Sequence, residues 1–262
     1  MGHNDLNLDS LHRNTVIALP QKEHALAWLV ANGPLVVSPG LPDTVLRSLM
    51  ADHRILRLHR DLYLVPTAEG VLPSLPQTVN LVDPDGYISG HGALMLHGLN
   101  DQDIARWYSV SPHRQADIAY GDLTAHFVLS PSRLTTASTT QAVMRDKRIR
   151  VATPARAFVD EVDLMPFGLN YPETLRILRD ALGVGAATER GLVAELRKTP
   201  SVASSRRLGF LLEMATGAAN EDLRAMAHSI GGLTRLRGDD VPELVWRLYL
   251  PATRADIAGA SR

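Results

Sequence analysis

Apolar side chains at Ala25, Leu26, Trp28, Leu29 and Val30 recur at helical spacing across residues 21–32, and Asn32-Gly33 followed by Pro34 ends the run. A second helix is predicted over residues 42–51, with Pro42 and Asp43 in its first turn and Val45, Leu46, Leu49 and Met50 on one face. Arg47 and Ser48 are left on or near the other face. The period then falls to two in "HRILRLHRDLYLV", residues 53–65. Leu56, Leu58, Leu62 and Leu64 are expected to point one way and Arg57, His59, Tyr63 and Val65 the other, around a turn near His59-Arg60-Asp61. Helix, short connection, helix and basic hairpin is the chain order of a winged helix-turn-helix.

The stretch "PTAEGVLPSLP", residues 66–76, holds three prolines and no clear period, which places a domain boundary there. Beyond it the signals mix. "DPDG", residues 83–86, reads as a turn, and Ser89 as the cap of a helix through Ala93, Leu94, Leu96 and His97 that stops at Gly98. Strands are predicted at 107–111, 126–130 and 149–152, and helices at 155–162, 172–182, 188–198 and 208–215. The expected fold class is α+β: a winged helix over residues 15–66, a linker over 67–76 and a larger mixed α/β domain over 77–262.

Composition narrows the function classes. The 27 Lys and Arg residues nearly balance 28 Asp and Glu, so attraction to a polyanion has to come from a local patch. Zero cysteines remove a disulfide framework, a thiolate zinc site and a cysteine nucleophile. No apolar run approaches the roughly 20 residues that span a bilayer, and the opening "MGHNDLNLDS" has neither the basic nor the apolar region of a signal peptide. A cytoplasmic protein is expected.

On a hairpin laid along a sugar-phosphate backbone, arginine grips a phosphate through two N–H groups and releases condensed counterions. Arg54, Arg57 and Arg60 are placed for this, with His53 and His59 adding donors if protonated, and Arg47 on the preceding helix is the candidate for a groove contact beside Ser48. The same residues also read as an ordinary solvated face.

Four segments, taken together, resemble the AbiEi family of antitoxins. "ILRLHRDLYLV" (55–65) resembles that family's wing; "YISGHGALMLHGL" (87–99) its aromatic-Ile-Ser, Ala-Leu, His-Gly-Leu segment; "VATPARAFVDEV" (151–162) its Thr-Pro-x-Arg-Ala-x-x-Asp segment; and "RRLGFLLE" (206–213) its Arg-Leu-Gly-x-Leu-Leu-Glu segment. They fall in the family's order across roughly residues 21–215. Asp61 departs from the pattern, standing where the wing turn usually has glycine, and a reshaped turn is expected. The resemblance implies a type IV, AbiE-like toxin–antitoxin system. Its N-terminal winged helix binds promoter DNA to repress its own operon, and its C-terminal domain counters a nucleotidyltransferase toxin without a tight stoichiometric complex. It singles out Ser89, His97, Arg156 and Asp160 as motif residues of that domain and requires neither a cofactor nor catalysis.

The remaining candidates have bland readings beside functional ones. Arg156 and Asp160 are four apart on a predicted helix, spacing that suits an anchor for a partner or a structural ion pair. Arg145, Lys147, Arg148 and Arg150 form one basic cluster, and Arg197, Lys198, Arg206 and Arg207 another; each extends a DNA footprint, meets an acidic surface or an RNA, or is simply solvated. His91 and His97, six apart, sit ~240° around one helix and do not share a metal. Asp83 and Asp85 read as a turn rather than as paired transferase carboxylates. There is no G-x-S-x-G elbow and no phosphate-binding glycine loop; "GVGAATERG", residues 183–191, follows a helix, the wrong context. Two rival functions stand beside the antitoxin: a solitary winged-helix regulator with a ligand-sensing domain, and an enzyme that modifies the toxin.

Overall fold

The computed structural model describes residues 19–37, 39–66, 74–144, 147–164, 170–232, 234 and 241–261. Residues 15–18 of the expected first domain, most of the expected linker (67–73), and Arg145 and Asp146 lie outside the described residues.

The chain opens with α1 (Leu19–Ala31), which ends where Gly33 takes a left-handed φ of 103° and the Asn32 side-chain amide donates to the Trp28 carbonyl at 2.8 Å. A strand that the sequence pattern does not reveal follows, β1 (Leu35–Val37). Then come α2 (Asp43–Ala51) and the hairpin of β2 (Leu56–His59) and β3 (Leu62–Leu64). β1 joins the hairpin in a three-stranded sheet of order β1-β3-β2. Among the described residues no helix separates β1 from α2. Ala25, Leu26 and Leu29 of α1 and Val45, Leu46 and Leu49 of α2 are buried as the spacing predicts, whereas Val30 is exposed.

The hairpin departs from simple alternation. β2 and β3 pair through Leu56↔Leu64, Arg57↔Tyr63 and His59↔Leu62, so Leu58 is an extra residue in a bulge. Leu58, Leu62 and Leu64 are buried in the main hydrophobic core, while Tyr63 and Val65 are buried in a smaller cluster with α1, α2 and Val36. The face carrying Arg57, His59, Tyr63 and Val65 is therefore buried at Tyr63 and Val65 and open at Arg57, while Leu56, expected to point with Leu58, Leu62 and Leu64, is 52% exposed at the sheet's edge strand.

The main body is α+β. α3 (Leu75–Val82) begins within the stretch read as linker, held by a reciprocal cap between Ser74 and Gln77 with Pro76 in its first turn. A six-stranded sheet of order β6-β7-β5-β4-β9-β8 is built from β4 (Tyr87–Ser89), β5 (Arg106–Ser111), β6 (Ile118–Tyr120), β7 (Leu123–Leu129), β8 (Thr139–Met144) and β9 (Lys147–Ala152). β4 runs parallel to β9 and antiparallel to β5, which runs parallel to β7. Between these lie α4 (Gly90–Leu96) and the short α5 (Pro131–Thr136). α6 (Pro154–Leu164) packs on α4 and on the sheet, then on α8 (Glu189–Lys198) and α9 (Val202–Thr216); α9 in turn packs on α7 (Tyr171–Gly183) and α10 (Glu221–His228). A two-stranded ribbon, β10 (Val241–Glu243) and β11 (Leu248–Leu250), and α11 (Arg254–Ala260) complete the chain. α11 carries a Thr253/Asp256 capping box and buries Ile257.

Candidate functional site

The cationic residues of the first two helices and the hairpin divide into free and engaged groups. The Arg47 side chain is 77% exposed, 3.7 Å from the Asp43 carboxylate one turn earlier on α2. Ser48 beside it is half-buried. Arg54 is exposed, 3.8 Å from Glu23 of α1, and Arg60 at the hairpin turn is exposed, 4.0 Å from Asp61. These long, solvated ion pairs are worth little, so each guanidinium is available to a stronger anion.

Arg57 is different. Its Nε donates to the His59 and Arg60 carbonyls at 3.2 and 3.0 Å, and its Nη2 donates to the Arg60 carbonyl at 2.5 Å, tying down the hairpin's own turn. It is exposed, yet much of its hydrogen-bonding capacity is spent on shaping the tip. The turn that lacks glycine is built without left-handed backbone: of the described non-glycine residues only His53 and Arg247 have positive φ. The Leu58 bulge and the Arg57 clamp reshape it instead. His59 is half-buried, and its pKa is lowered, chiefly by burial, with Arg57 adding to the shift and Asp61 opposing it. At neutral pH it offers a hydrogen bond and no charge.

Three of the four motif residues of the body, Ser89, Arg156 and Asp160, fall in one interior region. Asp160 of α6 is fully buried and accepts from Ser89 Oγ at 2.7 Å, Tyr87 OH at 3.0 Å, Arg133 Nη1 at 2.7 Å and Arg156 Nε at 3.0 Å. Arg156 is fully buried as well, forms a second contact to Asp160 through Nη2, and donates from Nη1 to Thr199 Oγ1 at 3.0 Å. Arg133 also pairs with Asp163, which accepts from Ser204 Oγ. Two guanidinium groups thus face two carboxylates. Burial works against the Arg156 charge, but the hydrogen bond and charge of Asp160 outweigh it and raise its pKa. Burial, then the Asp160 charge, also raises Tyr87, which stays a phenol donor. Ser89 occupies the N-cap position of α4 without capping it, because its hydroxyl is committed to Asp160. His97 lies apart from this network, hydrogen-bonded through Nε2 to the Ala152 carbonyl at 2.8 Å.

The basic clusters do not form surface patches as complete units. Arg148 is exposed, but Arg150 turns inward, donating to Thr139 Oγ1 and to the carbonyls of Asp85 and Leu134. In the other cluster, Arg206 and Arg207 are buried in α9. Arg206 donates to the Ala227 and Ile230 carbonyls and to Thr234 Oγ1, and Arg207 donates to the Val162 carbonyl. Arg197 pairs with Asp222 at 2.9 Å, and Lys198 with Glu195 and Ser138. The solvated-face reading fails for the two α9 arginines, which act as internal braces.

The arrangement has a counterpart among solved structures. The fold is similar to that of the RV2827C protein from Mycobacterium tuberculosis. That crystal structure superposes with a TM-score of 0.56 over 94% of this chain and 97% of the other, at 12% sequence identity. Likeness at that identity concerns fold alone. No family model and no curated protein matches the sequence.

Sequence reasoning missed Arg133, Asp163 and Glu161. Arg133 sits on a six-residue helix with no period to flag it, 27 positions from its acceptor. Glu161 and Asp163 were legible as acids that follow Asp160 in the last turn of a short amphipathic helix, spread too widely around its axis for all three to face water. Glu161 is buried, and its Oε2 accepts the His91 backbone N–H at 3.1 Å while His91 Nε2 lies 3.6 Å from Oε1. Burial raises its pKa, with His91 opposing. The unfolded chain therefore releases this proton at lower pH than the folded one, and stability falls as pH rises from the ordinary carboxyl range through the raised value. Glu161→Gln is expected to flatten that part of the curve, measured as urea midpoint against pH; an unchanged slope would rule the explanation out.

Proposed function

We propose that the chain is a DNA-binding antitoxin and autorepressor of AbiEi type, acting in the cytoplasm. It binds double-stranded DNA of its own promoter through α2 and the hairpin and counters a nucleotidyltransferase toxin without a stable complex. The observation that carries this reading is the set of weakly paired arginines, Arg47 on α2, Arg60 at the hairpin turn and Arg54 in the connection between them, on elements that share one small hydrophobic cluster. Helix, strand, helix and hairpin in the order α1-β1-α2-β2-β3, with a β1-β3-β2 sheet, support reading these elements as a winged helix. In such a domain the helix preceding the wing enters the major groove and the wing follows the backbone. Arg47 then faces the groove beside Ser48, Arg54 and Arg60 grip phosphates, Arg57 holds the tip and His59 adds an uncharged hydrogen bond.

No helix among the described residues is long and apolar enough to cross a membrane. The test is fluorescence anisotropy with the upstream DNA and a scrambled duplex over a salt series. For Arg54→Ala/Arg60→Ala, the slope of log affinity against log salt is expected to lose about 1.8 in magnitude, two phosphates at ~0.9 each, while Arg190→Ala, at an exposed position of α8, leaves it unchanged. Equal weak binding to both duplexes, insensitive to the double substitution, would sink the DNA half of the proposal. The toxin half is tested by growth on co-expression with a nucleotidyltransferase toxin: rescue by the whole chain supports it, and continued arrest rejects it.

A further inference from the structure

A cavity of about 220 Å³ lies between α4, β5, α6 and α7, away from the hairpin and unused by the DNA reading. Its buried wall holds Glu161, whose hydrogen bond from the His91 N–H leaves acceptor capacity unspent. Asn100 lines the same cavity and is only 5% exposed. Its Oδ1 accepts from the Gln102 N–H at 3.2 Å, and its Nδ2 has no hydrogen-bond partner. A buried amide donor without a partner costs free energy that a ligand oxygen recovers, and a carboxylate with a free lone pair is matched by an ammonium. Nearer the surface the pairing repeats: half-buried Glu173 supplies a second acid and exposed Arg106 a base. The lining is thus matched to a small zwitterion that donates on one side and accepts on the other. A bare metal ion fits less well, since among the described residues no three His, Asp or Glu side chains converge to hold one.

We propose that this cavity binds a free α-amino acid, with its ammonium on Glu161 and Glu173 and its carboxylate on Asn100 Nδ2 and Arg106. The ligand's side chain is left toward the mouth, where the exposed Asp103 favours a cationic one. Binding would fix α4, α6 and α7 relative to one another, since each supplies part of the wall.

The experiment is isothermal titration calorimetry of the full chain with each of the common α-amino acids. Any that binds is followed by its decarboxylated amine and its deaminated acid. At least one amino acid is expected to bind with a Kd of about 1 mM or tighter, and loss of either charged group to weaken it about tenfold. Glu173→Gln and Arg106→Ala, at partly exposed positions that the fold tolerates, are each expected to weaken it about tenfold, with Glu161→Gln as the buried counterpart. Silence with every amino acid overturns the proposal, as does binding indifferent to both rim substitutions or to removal of either charged group. Neither result touches promoter binding, so the two readings fail separately.

Discussion

Asp160→Ala is expected to destabilise the protein by about 3–5 kcal/mol, the cost of leaving buried charge without its partner. The substitution removes the acceptor shared by Arg156, Arg133, Tyr87 and Ser89, and Arg156 is left fully buried with only Thr199 Oγ1 as a side-chain acceptor. Urea denaturation at neutral pH measures the effect as a lowered midpoint, with an unchanged m-value showing that the compactness of the end states is unaltered. Replacing the pair together, Arg156→Met/Asp160→Leu, is expected to recover part of the loss, because two apolar side chains no longer strand a charge. A loss below about 1 kcal/mol for Asp160→Ala would mean that water reaches the site and that the network is not the interior hub described above.

Gly209→Ala should be nearly as costly, about 3 kcal/mol, although helix propensity alone favours alanine by about 1 kcal/mol. A methyl group at this position of α9 would lie 2.0 Å from Cζ3 of Trp246, whose indole is fully buried and donates from Nε1 to Glu213 Oε2 at 2.6 Å, one turn along the same helix. The ring has to move, and its hydrogen bond moves with it. Calorimetry should report the lowered Tm and tryptophan fluorescence a red shift. Trp246→Leu in the same background should restore part of the stability by clearing the space. An alanine variant as stable as the parent, with unshifted emission, would show that the indole repacks freely.

Legibility from the sequence followed the range of the interaction. Helices α1, α2, α7 and α8 were readable because spacing and local breakers such as Gly33 and Pro34 define them within a turn or two. The Arg156–Asp160 pair was readable for the same reason, being one helical turn apart. Its role was not, since Tyr87, Ser89 and Arg133 reach Asp160 across 73, 71 and 27 residues. α3 was missed because Pro73 and Pro76 read as breakers, whereas proline in a first turn initiates a helix. α9 starts at Val202, ahead of its expected start at 208, because Arg206 and Arg207 read as surface while their acceptors come from other elements. β1 is three residues long and gains its identity only by pairing with β3, whose sequence partners lie 25 to 29 positions away. At the hairpin, the arginines were found from the alternating pattern of residues 53–65, but the split between weakly paired and bracing arginines needed the Arg57 contacts with the turn carbonyls.

β3 is a party wall. Leu62 and Leu64 belong to the room on one side and Tyr63 to the room on the other, so neither room is closed without it. A hairpin that swings freely loses entropy each time it settles on a partner; one that forms the partition between two cores has lost it already on folding. The consequence runs in both directions. The hairpin inherits its stiffness from the body, and cutting the chain at the proline-rich stretch before α3 would release not two finished halves but one half with leucines facing water.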